Sequence, residues 1–210
     1  MQVDHVVIGV ADLSDAADHL GRAFGLTSVP GGSHRGWGTA NRLVPLGECY
    51  LELVTVVDPA EAAVSPFGRW VAGMIASGSG WGWVVRTEAI LAVADRLGLV
   101  VADGSRPGAY GRALTWKLAG VEQARQNPSL PFFIQWGRDT PLPGRAPVTH
   151  GCGSCSLSEL VVAGDDQVVH DWLGQPLQPV RVVPGTAGVT AIQLQAGSGT
   201  IRIEPADLTD

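Results

Sequence analysis

At 210 residues, 45% of them apolar, the chain has enough material for one large domain or two small ones, and disorder is not expected. Lys and Arg number 14 against 20 Asp and Glu, a formal charge of -6 with pI near 5.3, so a small molecule is a better partner than a nucleic-acid backbone or an anionic membrane. Three cysteines are too few for a disulfide scaffold, and no basic leader or apolar run of transmembrane length is seen, which predicts a cytoplasmic protein.

The first predicted element is a strand in DHVVIGVAD, where His5 stands among β-branched residues suited to a buried strand. A helix follows: Asp12 is a plausible N-cap, Leu13, Ala16, Ala17, Leu20 and Phe24 share a face, and Gly25 ends it. A short strand between Leu26 and Val29, a turn at Pro30-Gly31-Gly32, and strands over 39–46 and 49–57 complete a β-α-β-β-β unit. In CYLELVTV, alternation places Tyr50, Glu52 and Val54 on one face. A buried carboxylate costs several kcal/mol unless it meets a cation, a metal, donors or water, and His5 is the nearest candidate in kind.

After a connection over 58–79 with a short helix around Phe67 to Ile75, a second unit starts. Its strand is Trp81 to Arg86, its helix is capped by Thr87 with Ile90, Val93, Ala94 and Leu97 on one face, and its further strands lie over 99–103, 112–118 and 131–136. Laid beside CYLELV, PFFIQW sets Phe133 and Gln135 in the places of Tyr50 and Glu52. Residues 138–155 form a Pro/Gly-rich linker containing one C-x-x-C, Cys152 and Cys155, which without a second such pair reads chiefly as connection. A third, shorter unit over 156–210 has strands at 157–163, 178–183, 189–195 and 200–204 and a helix at 166–173, with Glu159 and Arg202 predicted to form an internal salt bridge. In each of the three units roughly fifty residues separate the first strand from the fourth, which marks a repeat.

Tandem β-α-β-β-β units with a histidine on the first strand and a glutamate on the fourth resemble the vicinal oxygen chelate superfamily of glyoxalase I, extradiol dioxygenases and bleomycin-resistance proteins. GGSHRGWGTANRLVPLG followed by YLEL, with PFFIQW later, is similar more narrowly to its glyoxalase-like domain branch. The resemblance implies an α+β fold: residues 1–137 pair two units into an open barrel, and the third partial unit packs beside it. It also implies a divalent metal (Zn, Ni, Mn or Fe) that chelates substrate oxygens and sits on the first and fourth strands of each unit, with His5 and Glu52 as the first pair of ligands. The second pair does not match: Gly80, Trp81 or Trp83 answers to His5, and neutral Gln135 to Glu52.

These features define a candidate site. His5 and Glu52 are the catalytic candidates, as metal ligands or as a base with its orienting acid, against the bland reading of a core histidine bonded to a carbonyl. His34, Trp37 and Asn41, in the glycine-rich loop Gly31 to Asn41, are candidate substrate contacts, as are Gln135 and Trp83; the bland readings are a tight turn and core packing. The function expected is binding of a small oxygenated or carbonyl compound in the barrel, with metal-assisted isomerase or lyase chemistry. Non-catalytic sequestration of a small molecule is the alternative, and extradiol-type dioxygenation ranks third. The protein is free to act alone or as a homodimer.

Overall fold

A computed structural model describes residues 1–78, 80–107 and 113–208. The chain forms strands β1 (Gln2–Gly9), β2 (Val29–His34), β3 (Thr39–Pro45), β4 (Tyr50–Val56), β5 (Trp81–Arg86), β6 (Val101–Pro107), β7 (Ala113–Ala119) and β8 (Phe132–Trp136) in one sheet ordered β2-β3-β4-β1-β5-β8-β7-β6. A second sheet, β10-β9-β11-β12, is built from β9 (Cys155–Ala163), β10 (Val180–Val183), β11 (Gly188–Ala196) and β12 (Gly199–Ile203). Helices α1 (Leu13–Phe24), α2 (Pro59–Val64), α3 (Pro66–Ser77), α4 (Ile90–Leu97), α5 (Val121–Gln126) and α6 (Asp166–Leu173) connect the strands. Among the described residues, no helix is long and apolar enough to cross a membrane.

Local chemistry sets the helix ends. The Asp12 carboxylate accepts from the Ser14 and Asp15 amides at 2.7 and 3.0 Å, and Gly25 closes α1 in the left-handed region. The Asp58, Ser65 and Asp165 side chains cap α2, α3 and α6 in the same way, with proline in the first turn of α2 and α3. Thr87 is not the cap residue of α4. Its hydroxyl accepts from Ala89, and the Ile90 amide donates instead to Oε1 of Gln135 at 3.0 Å.

The repeat is visible in the pairing. β1 runs parallel to β4, β5 runs parallel to β8, and β1 meets β5 antiparallel, so two four-stranded units join back to back along one seam. Pro30-Gly31-Gly32, expected as a turn, lies inside β2, an edge strand that tolerates proline and glycine because one side of it has no ladder to complete. The pairing skips Gly31 at a bulge, and the true turn falls at residues 35–38. Neither α2 nor α5 was foreseen from the sequence.

Alternation divides the large sheet into two faces. Val6, Ile8, Leu51, Leu53, Trp83, Val85 and Phe133 point outward, and they share one core with Leu160, Val162, Ile192 and Leu194 of the second sheet. Val7, Val54, Val84, Trp116, Phe132 and Ile134 point inward, where they meet Phe67 and Trp70 of α3. The third unit therefore lies against the backs of β1 and β5. Its predicted Glu159–Arg202 bridge does not form, because β11 runs between β9 and β12: Glu159 pairs with Arg181 at 2.8 Å and Arg202 with Glu204 at 2.7 Å.

Candidate functional site

The inner face encloses a cavity of about 40 Å³ lined by polar groups from the first unit, and by aromatic or aliphatic groups and Arg106 from the second. His5, His34, Trp37, Asn41 and Glu52 all reach it. On its polar side the ladder sets His5 of β1 opposite Tyr50 of β4, with Glu52 two residues further along the same face. The Tyr50 ring stacks on the imidazole, centroids 4.4 Å apart and planes 19° from parallel.

A bulge in β1 decides how His5 is held. Pairing with β5 shifts between Val3 and His5, which leaves Asp4 out of the ladder and lets its carboxylate turn to its neighbour. Oδ1 of Asp4 lies 2.7 Å from Nδ1 of His5, while Oδ2 accepts from the Trp136 indole at 3.0 Å and lies 3.7 Å from the Arg86 guanidinium. Nε2 of His5 lies 3.4 Å from Oε2 of Glu52. The imidazole thus stands between two buried carboxylates. Burial alone would lower its pKa, but the bonds and charges of Asp4 and Glu52 outweigh that and push it up to about 9. Burial likewise works against the Glu52 anion, and His5, His34 and the Asn41 amide together hold its pKa well below the usual carboxylate range. The pair is ionised at neutral pH.

Asn41 ties Glu52 to His34. Its Oδ1 accepts from the Gly32 amide at 2.9 Å, which orients the side chain so that Nδ2 faces inward, donating to Oε1 of Glu52 and lying 3.4 Å from Nε2 of His34. Nδ1 of His34 is 2.9 Å from the Thr39 hydroxyl, so the consistent tautomer carries its proton on Nδ1 and turns the Nε2 lone pair to Asn41. Burial lowers the pKa of His34, with the Glu52 charge opposing, and the ring is neutral at pH 7. Glycine at 31 is required: a Cβ there would stand 1.9 Å from Oδ1 of Asn41.

Two expected contacts lie elsewhere. Trp83 is fully buried on the outer face, its indole donating to the Ser129 carbonyl at 3.1 Å, and Gln135 also points outward, to the start of α4. The ladder explains both displacements. Val84 lies opposite His5 and pairs with Phe132, so the inward positions of β8 are Phe132 and Ile134, one residue away from those expected for PFFIQW. The inward positions of β5 and β8 are apolar, and the charged cavity residue of that half, Arg106, comes from β6.

This geometry tests the metal that the sequence resemblance implied. The inward positions of β5 and β8 in the second half, Val84, Phe132 and Ile134, offer no ligand to join His5 and Glu52. Among the described residues, no group of three or more His, Cys, Asp or Glu is placed to hold an ion. The donor set does not fit a divalent metal.

Asp4 and Arg106 escaped the sequence reading. Asp4 is adjacent to His5, where alternation would put it on the opposite face, and nothing in the sequence marks the bulge that turns it. Arg106 comes from β6, the far edge strand, and crosses the barrel mouth to donate to the Gly31 carbonyl of β2. Its partner is 75 residues away, which no local pattern signals.

A family model described as "Glyoxalase-like domain" matches residues 3–177. Among solved structures, a hypothetical protein from Staphylococcus aureus superposes with a TM-score of 0.67 at 17% identity, covering 97% of this chain and 98% of that one. A Streptomyces coelicolor methylmalonyl-CoA epimerase in complex with 2-nitronate-propionyl-CoA gives 0.47 at 18% identity over 65% of this chain and 96% of its own, and the Mycobacterium tuberculosis methylmalonyl-CoA epimerase gives 0.44 at 18% over 64% and 86%. Overlaps of that size are too partial to bear on function. No curated protein matches the chain.

Proposed function

The chain belongs to the glyoxalase-like domain family of the vicinal oxygen chelate superfamily, and from that premise we propose that it is a metal-independent protein that binds a small oxygenated compound in the barrel, acting in the cytoplasm. The observation that carries the reading is the asymmetry of the cavity. The first unit contributes an ionised His5–Glu52 pair already satisfied by Asp4 and Asn41, and the second contributes the apolar wall of Phe132, Ile134 and Trp136 with the Arg106 guanidinium as its one charge. A cavity of about 40 Å³ has room for roughly three waters, so it admits a compact molecule, or the compact end of a longer one. Aromatic edges and faces from Trp37, Phe67 and Trp116, with centroids 5.2 to 5.9 Å apart, supply the apolar contact.

Catalysis by proton transfer is a second reading, and one observation favours it. His34 is the neutral imidazole of the cavity, with an Nε2 lone pair held only by a long contact to Asn41. On this reading His34 takes the proton, and the clamped His5–Glu52 pair sets the local field.

Intrinsic tryptophan fluorescence tests the proposal, since Trp37, Trp116 and Trp136 line the cavity. Titration of metal-stripped protein with small carbonyl and hydroxy compounds should give saturable quenching that EDTA does not change. Stoichiometric metal in the purified protein, lost together with ligand binding in His5→Ala, would overturn it.

A further inference from the structure

Resting on the pocket reading above, we propose that the ligand is a small organic carboxylate and that Arg106 is the residue that selects it. Arg106 is 9% exposed and lines the cavity. A guanidinium has five N–H donors in a planar fork, and here one nitrogen, Nη1, donates to the Gly31 carbonyl. No other hydrogen bond and no carboxylate within salt-bridge distance engages Arg106 among the described residues, and the adjoining residues 108–112 contain no acidic side chain. Its other two nitrogens are not sealed off without a partner, a condition found among the described residues only at Nη1 of Arg86, so they keep access to solvent.

The charges around it point the same way. Glu52 is the carboxylate that lines the cavity and Asp4 the one that backs His5, and each already meets a cation: Glu52 meets His5, and Asp4 meets His5 and Arg86. The His34 ring is neutral, and the Tyr50 phenol, its pKa pushed up by burial, is uncharged. Arg106 is therefore the charge left over, a nearly buried cation waiting for an anion. Burying such a charge unpaired is costly, and the planar fork matches a carboxylate through two parallel hydrogen bonds. Gly32 keeps the place open, since a Cβ there would stand 2.9 Å from Nη1 of Arg106. Hydrogen bonding fixes the carboxylate at the mouth, and the rest of the molecule lies against Trp116 and Phe132.

Matched acid and amide probes test this. Propionate against propionamide, and benzoate against benzamide, are titrated into wild type and Arg106→Gln by tryptophan quenching, with far-UV circular dichroism to confirm that the variant is folded. The expected result is that each acid binds wild type at least about tenfold more tightly than its amide, and that the preference disappears in Arg106→Gln. Equal binding of acids and amides to wild type overturns the proposal while leaving the pocket reading intact, and so does a folded Arg106→Gln that keeps the preference. If none of the four probes binds wild type, both readings fall. The wild-type comparison decides the matter even if the variant does not fold.

Discussion

Replacing His5 with phenylalanine tests the ionic clamp at the cavity floor. Phenylalanine keeps a flat ring against Tyr50 and removes only the two N–H groups aimed at Asp4 and Glu52. The His5, Asp4 and Glu52 side chains are 4%, 2% and 6% exposed, so water does little to replace what is lost. Two charge-assisted contacts at about 1.5–3 kcal/mol each set an upper bound near 6 kcal/mol. Asp4 retains Trp136 and Arg86, and Glu52 retains Asn41 and can take up a proton, so the expected loss at pH 6.5 is about 3–4 kcal/mol, in the range found when one partner of a buried pair is removed. The pH dependence is the sharper part of the test. Without His5, burial raises the pKa of Glu52 above its unfolded value, so the variant gains stability as pH falls, by up to about 1.4 kcal/mol per unit. Wild type gains nothing comparable between pH 6.5 and 5.0, because its Glu52 stays ionised and its His5 stays protonated. The deficit should therefore narrow by about 1–2 kcal/mol at pH 5.0. Urea unfolding of both proteins at the two pH values measures it. A deficit under about 1 kcal/mol at pH 6.5, or one that does not change with pH, would refute an ionised buried pair.

Wild type itself should lose stability on both sides of a plateau. The raised His5 contributes fully below its unfolded pKa near 6.5 and loses that contribution as pH rises through about 9, whereas the depressed Glu52 contributes above about 4.3 and loses it on further acidification; melting temperatures from pH 3 to 10 check both limbs. Gly31→Ala should cost about 1–3 kcal/mol in urea and weaken ligand binding, because the new Cβ displaces Asn41 from Glu52. Gln135→Ala should cost about 1 kcal/mol through loss of the acceptor for the Ile90 amide and leave tryptophan quenching by ligand unchanged; altered binding would restore Gln135 to the cavity. Zinc, nickel or manganese at concentrations that stabilise a specific site by several degrees should leave the melting temperature unmoved, and a concentration-dependent rise abolished by His5→Ala would contradict the donor-set argument.

The elements that could be read from the sequence were those with a local signature. Hydrophobic periodicity and end residues located α1 and α6, and the β-branched runs located β1, β5 and β9. His5 and Glu52 share a face because each sits in a strand whose alternation is unambiguous. FFIQW offers no such contrast: both of its faces are apolar apart from Gln135, so the polar residue suggested a register one position off. The Asp4 bulge and the reach of Arg106 across the mouth depend on pairings between distant strands, which spacing along the chain does not record. Glycines at 31 and 32 looked like a turn because close side-chain approach and chain reversal call for the same residue.

The shared packing between the two sheets governs where this chain can be divided. Leu160, Val162, Ile192 and Leu194 cover Val6, Ile8, Trp83 and Val85, and His150 fastens the intervening stretch by donating to the Pro45 carbonyl at 2.7 Å while accepting from the Thr27 amide at 3.0 Å. A fragment cut after β8 would keep every wall of the cavity yet present a greasy back to solvent, and it would self-associate before any ligand could be offered to it. Expression trials that trim the carboxyl end would then yield inclusion bodies, a loss of solubility easily mistaken for a loss of binding.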